Sequence, residues 1–309
     1  MTSSRQDDTV PDVSPDVPGL HWRATLRLLE RLPQAALSRA FGRLADTPLP
    51  RAARRTVLGA TARMLGIRLD EAERPLEEYG SINELFVRRL RPGARRWPDD
   101  DAAIAAPVDG IVGQYGAIDG DRLIQAKGRE YSAAALLGSH DDVQPFAGGS
   151  FLTIYLSPRH YHRIHAPCGG TIPWARYIPG ALLPVNAAAV VHVAELFPRN
   201  ERVVCSIDGP LGRTAIVAIG AYNVGRISTA FDDDWAGPGR AVAGRAGAVL
   251  ETRRYDPPRR VRQGDEIMAF HLGSTIVALC ERGARLDVPP VGSEIRAGQV
   301  VLRGTPRVV

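Results

Sequence analysis

FHLGSTIVAL, residues 270–279, reads as a buried strand with a gap in its middle. Phe270, Leu272, Ile276, Val277 and Leu279 suit a packed strand. Gly273 and Ser274 remove bulk where a strand normally supplies it, and a glycine inside a strand marks a kink or a close approach of other atoms. The small Gly-Ser peptide unit therefore needs a reason, and the rest of the chain has to supply it.

The chain has 309 residues, 44% hydrophobic and 24% charged, a composition suited to one large domain or two modest ones. Its formal charge of +5 favours anionic partners without naming them. Cys168, Cys205 and Cys280 are scattered and form no C-x-x-C pair, which argues against a disulfide framework or a zinc knuckle and for a reducing compartment. No apolar run reaches the roughly 18 residues that span a bilayer. Residues 1–20, with four aspartates among prolines and serines, read as a disordered leader rather than a secretory signal. Lys127 is the sole lysine among 39 basic residues, a weak hint that QAKGREY (125–131) wants a compact ammonium.

Residues 21–80 carry helical patterning. Trp22, Thr25, Leu26, Leu29 and Leu32 share one face, Arg23, Arg27 and Arg31 line another, and Pro33 ends or kinks the helix. Further helical pieces are expected near 34–45, 50–66 and 70–78. Ten arginines face only two acids between Trp22 and Arg68. A basic amphipathic segment suits an anionic membrane surface, and it suits equally a helical cap with its arginines in water. Aromatics do not interleave with the arginines, so nucleic acid is disfavoured. From about residue 100 short β runs alternate with Gly, Pro and Asp, as in SFLTIYLS and TIVALC. The echo between QGDEI (263–267) and VGSEIRAGQVV (291–301) suggests repeated hairpins. The fold class expected is α+β: N-terminal amphipathic helices, then a mainly β, barrel- or sandwich-like domain over 81–309, with residues 228–260 left as loops.

SPRHYHRIHAP (157–167) is the densest cluster of proton-transferring side chains. His160 and His162 would share a face in a strand, with His165 further on. A solvated loop, a His-x-His metal pair and general acid/base work all remain open. Asp109 in APVDGIV sits at a turn before a β run, where an acid caps backbone amides or orients a histidine. Ser274 lacks the G-x-S-x-G elbow, which disfavours a hydrolase of the usual α/β type. The nearest electrophile to its hydroxyl is the Gly273 carbonyl.

Taken in order, SINELFVRRLRPGAR, APVDG, QAKGREYS with LLG, YLSPRHYHRIHAPCGG, IPGALLPVN, LFPRNERVV, IGAYNVGRI and LGST resemble the phosphatidylserine decarboxylase family over roughly residues 80–309. The resemblance implies self-cutting between Gly273 and Ser274. It gives a β chain, 1–273, and an α chain, 274–309, whose first residue becomes a pyruvoyl group. It implies His165 as the base for this step with Asp109 as its orienting partner. The pyruvoyl carbonyl then forms a Schiff base with the amine of phosphatidylserine, and His162 returns a proton after CO2 leaves, giving phosphatidylethanolamine. No metal or diffusible cofactor is implied. A peripheral place on the cytoplasmic face of an anionic membrane, with 21–80 docking on lipid, and a homodimer are further expectations. Three residues depart from the family pattern: His160 stands where SPRDYHR has aspartate, Met268 where glycine is usual, and Arg226 in place of a small polar residue. Rival readings are a pyruvoyl decarboxylase of another amino headgroup or amino acid, an uncut membrane-bound binding homologue, and a Ser-His-Asp lipid hydrolase.

Overall fold

A computed structural model describes residues 34–126, 129–221, 226–235, 241–243, 247–271 and 274–307. The leader, the Trp22–Leu32 face, Lys127 and Gly273 lie outside the described residues.

An eight-stranded antiparallel sheet forms the centre. Its strands run in the order Glu251–Val261, Gly170–Ile178, Arg202–Gly209, Gly212–Ile219, Ser274–Cys280, Ser150–Leu156, Gly110–Ala117 and Glu294–Ile295. The strand that begins at Ser274 is thus internal, paired with Ser150–Leu156 on one side and Gly212–Ile219 on the other. All seven of its residues are buried. Alternation sends Ile276, Ala278 and Cys280 into one core layer and Val277 and Leu279 into the other. This is why the run reads as continuously apolar rather than alternating: both faces are covered.

One layer lies between the large sheet and two small ones. Ile104, Val301 and Leu302 come from the sheet of Ala103–Ala105, Val300–Gly304 and Ala284–Leu286. Ile164, Ile227, Ile267 and Phe270 come from the sheet of Ile227–Thr229, Glu266–Phe270 and Arg163–His165. The other layer packs beneath short helices, with Leu136 and Leu137 from Ala133–Leu137 and Leu196 and Phe197 from Leu196–Arg199. The architecture is α+β and sandwich-like, as expected; among the described residues no sheet closes into a barrel.

The chain changes sheets at the opening stretch. Glu266–Phe270 belongs to a three-stranded sheet and Ser274–Cys280 to the central one. Three residues of sequence separate the two strands.

Helices occupy Gln34–Asp46 and Arg51–Leu65, close to the expected bounds, the second ending on left-handed Gly66. The helix expected over 70–78 is only a 3₁₀ turn, Leu76–Glu78. Pro75 lacks the N–H and disfavours a helical residue before it. Leu58, Ala62, Ile67, Tyr79 and Leu85 form a separate small core here. The region left as loops contains an eleven-residue edge strand, Glu251–Val261. Its pairing with Gly170–Ile178 breaks between Arg254 and Arg259, where Pro257 and Pro258 sit in the irregularity. Prolines and arginines hid the strand from pattern reading.

Ile276 has no exposed surface. Ile276→Ala is expected to cost about 2–5 kcal/mol of stability, read as a lower urea midpoint with an unchanged slope.

Candidate active site

The Ser150–Leu156 strand ends in a tight turn, closed by the His160 N–H donating to the Ser157 carbonyl (3.0 Å). His160 Nδ1 accepts the Ser157 backbone N–H at 3.0 Å and lies 3.1 Å from its hydroxyl. The imidazole thus acts as a local cap for the turn, a task for which a carboxylate is equally suited. His160 and His162 do not present their rings to one face as a strand would. His162 Nδ1 instead meets the His160 carbonyl at 2.8 Å, so that nitrogen carries the hydrogen and Nε2 keeps its lone pair. The ring of His162 is wholly buried against Phe86, with centroids 4.1 Å apart, and Nε2 has no partner among the described residues. Burial, aided by the nearby Arg88 charge, pushes the His162 pKa down to about 3.

His165 is held at both nitrogens. Nδ1–H donates to the Gly264 carbonyl (2.7 Å), and the Tyr161 hydroxyl lies 2.9 Å from Nε2 as donor. Its ring packs against Trp97 and Tyr161, and its own N–H donates to the Pro107 carbonyl (2.9 Å). Burial lowers the His165 pKa. Gly264, the turn glycine of QGDEI, has φ of +88°, and a Cβ there would come within 2.8 Å of the Trp97 ring, so the carbonyl that anchors His165 depends on glycine.

Asp109 does not bond to His165. Oδ1 accepts from Arg95 Nε (2.8 Å) and the Ala297 N–H (2.9 Å), while Oδ2 accepts from Arg95 Nη2, which also reaches Glu71 (2.9 Å). The acid acts on His165 through space, favouring its protonated form. The expected orienting role falls to Gly264 and Tyr161 by contact.

Ser274 opens the central strand opposite Leu156, is 1% exposed, and its Oγ has no partner among the described residues. The approach to it is pinned. The Phe270 N–H donates to the His162 carbonyl (3.0 Å), and the His271 ring sits between Asn83 (3.2 Å) and the Ser228 hydroxyl (3.1 Å). Burial drives the His271 pKa down to about 4. Asn83 and Phe86 lie on one five-residue helix, Ile82–Phe86, capped by Ser81, so one element touches both the approach to Ser274 and His162. Sequence reasoning did not single out Asn83, Phe86, Tyr161 or His271. Their only signal was membership of SINELFVRR, SPRHYHR and FHLGST, where the serine and the other histidines drew the attention.

The other two departures have local roles as well. Arg226 pairs with Asp46 (3.0 Å from Nη2 to Oδ1), tying the Gln34–Asp46 helix to the residue whose carbonyl accepts from the His271 N–H. Met268 is fully buried in the layer between the sheets, filling volume a glycine would leave. Among the described residues no group of three or more His, Cys, Asp or Glu side chains is arranged to hold a metal.

The family model for phosphatidylserine decarboxylase matches residues 82–303, most of the chain. The chain belongs to the phosphatidylserine decarboxylase family. Curated relatives named phosphatidylserine decarboxylase proenzyme agree with this. The protein of Anaeromyxobacter sp. (strain K) is 42% identical over 280 residues, 90% of this chain and 97% of its own length. That of Acidovorax ebreus is 44% identical over 263 residues, covering 84% and 89% of the two chains. That of Myxococcus xanthus is 40% identical over 256 residues, covering 83% and 89%. The motif-based resemblance is borne out, and the chain is an enzyme of the phosphatidylserine decarboxylase family.

A histidine whose pKa falls on folding stabilises the fold fully above its unfolded value, near 6.5, and loses that contribution as pH drops toward the folded value. For His162 the loss between pH 7 and pH 5 is about 2 kcal/mol. Urea denaturation of His162→Gln at the two pH values is expected to show a correspondingly smaller acid loss than the parent protein.

Proposed function

We propose that this protein decarboxylates phosphatidylserine to phosphatidylethanolamine after cutting itself between Gly273 and Ser274. The observation that carries the reading is Ser274 Oγ. A buried hydroxyl without a partner is costly, and this one heads the central strand at the point where the chain changes sheets.

In the cutting step Ser274 Oγ loses its proton and attacks the Gly273 carbonyl. The C–N bond breaks as the ester C–O bond forms, and the proton taken from Oγ passes to the freed Ser274 nitrogen. Loss of the Ser274 α-proton then expels the Gly273 carboxylate and leaves dehydroalanine, which takes up water and releases ammonia. His165 is the base, working through the Tyr161 hydroxyl that holds its Nε2. Asp109 stabilises the charge His165 gains, through space. The buried environment of Ser274 and the free Nε2 of His162 fit the resulting pyruvoyl group, which supplies a carbonyl beside the substrate's amine and an electron sink as CO2 departs.

His162 does the proton work of turnover. The substrate arrives as an ammonium and must lose a proton to react, and the neutral Nε2 lone pair accepts it. The same nitrogen gives that proton to the α-carbon after CO2 is lost, and one further proton is taken up from solvent when the product leaves as an ammonium. At rest His162 Nε2 carries no proton, so it accepts one before it serves as the donor to the α-carbon.

The helical segment supports a peripheral membrane position on the cytoplasmic face. Met64 and Leu44 are 79% and 66% exposed, and Arg43, Arg51, Arg55 and Arg63 on the same two helices are exposed as well. Apolar side chains beside arginines suit the interface of an anionic bilayer. A pair of identical copies as the assembly is part of the same reading by resemblance.

Mass spectrometry of purified protein tests the central step. The parent is expected as two fragments and Ser274→Ala as one species at 33.4 kDa. His162→Ala is expected to be cut yet to release no CO2 from phosphatidylserine, whereas His165→Ala stays uncut. An uncut parent would favour a binding homologue. In flotation with phosphatidylglycerol vesicles, the double substitution Leu44→Asp with Met64→Asp is expected to lower bound protein several-fold; unchanged binding would remove this surface from the account.

A further inference from the structure

Arg88 is an unusual arginine in this fold. The other deeply buried ones are saturated: Arg202 donates to the carbonyls of Ala135, Leu136, Pro198 and Asn200, and Arg95 grips two carboxylates. Arg88 is 3% exposed, and neither Nε nor Nη1 has an acceptor among the described residues. A buried guanidinium left without an acceptor is strongly disfavoured unless an anion joins it.

Its surroundings are those of the active site. Arg88 lies two residues beyond Phe86, whose ring packs against His162, and next to Val87, whose carbonyl accepts from Arg163 Nε (2.8 Å). Its charge is felt at His162, and the Tyr79, Tyr161 and Asp109 side chains are within electrostatic reach of it. Asp109 is already bonded to Arg95 and Ala297, so it is not the missing partner. Among the described residues the Tyr79 hydroxyl is buried and without a partner as well, as is His162 Nε2. Unfilled polar atoms on Arg88, Tyr79 and His162 form a set that awaits a ligand.

The planar fork of a guanidinium matches carboxylate and phosphate oxygens alike. The substrate proposed above carries both, and the reaction separates them. A fork on the carboxylate would stabilise the charge that has to be dispersed as CO2 leaves, and so would oppose the step. The phosphodiester keeps its charge from substrate to product, so holding it costs nothing in the transition state. We infer that Arg88 receives the phosphodiester of the lipid headgroup and thereby sets the distance from membrane anchor to reacting amine. The inference rests on the decarboxylase reading.

The test compares the parent with Arg88→Gln in detergent micelles, after a denaturing gel has shown that the variant cuts itself and is therefore folded. The KM for phosphatidylserine is expected to rise about tenfold or more while kcat stays within about threefold. Glycerophosphoethanolamine, which has the phosphodiester and no carboxylate, should inhibit the parent and lose that effect in the variant; L-serine, with a carboxylate and no phosphate, should inhibit both alike. Loss of serine inhibition instead would assign Arg88 to the carboxylate, and unchanged KM and inhibition would make it structural; either result overturns the inference. If Arg88→Gln stays uncut, Arg88→Lys keeps the charge without the fork and should show the same rise in KM; if it too is uncut, Arg88 belongs to folding or cutting. A parent that releases no CO2 from phosphatidylserine defeats the decarboxylase reading itself, whereas an active parent beside an indifferent variant defeats only the role of Arg88.

Discussion

Everything in this fold is arranged around one strand that is covered on both faces and paired along both edges. Ser274–Cys280 cannot shift by a residue without exchanging its two apolar sets between the core layers. Ser274 is therefore fixed by seven residues of pairing on one side and six on the other. The preceding strand is secured independently in another sheet, with Phe270 bonded to His162. Two rigid bodies thus hold the ends of a three-residue crossing. A peptide unit at such a crossing can be altered chemically while both sheets keep their partners.

A second constraint links parts of the chain that are far apart in sequence. Glu71, Arg95, Asp109 and the backbone of Ala297 form one connected set, running from the helical segment through the turn before Gly110–Ala117 to the C-terminal region. Arg95 and Asp109 are both almost fully buried. A buried pair of this kind gains little over apolar packing, yet removing one partner costs about 3–5 kcal/mol. Its value here is positional. It fixes the turn whose Pro107 carbonyl receives the His165 N–H, and so sets where that histidine stands.

Legibility in the sequence divided along physical lines. Continuous apolar runs such as TIVALC announced buried strands, because covering both faces leaves no polar alternation to confuse the pattern. The helical pieces expected near 34–45 and 50–66 are present as Gln34–Asp46 and Arg51–Leu65. Glu251–Val261 was missed because prolines and arginines are what an exposed, irregular edge tolerates. The histidine-rich turn and the Gly-Ser step identified where chemistry belongs. The partnerships within it were not readable: Asp109 with Arg95, His165 with Gly264 and Tyr161, His271 with Asn83. Each joins residues that the topology brings together from separate elements, and no local spacing records such a meeting. The alternation argument for His160 and His162 failed for a related reason, since the two lie in a turn where the pleat no longer governs direction.

The borders of the large sheet carry a further consequence. On one side Glu251–Val261 offers outward arginines and a pair of prolines that interrupt its hydrogen-bonding row; on the other the border is only Glu294–Ile295. Neither invites another chain to extend the ladder. Extension of the large sheet by a second chain at either of these two borders is therefore disfavoured, so contacts there would rest on side-chain packing.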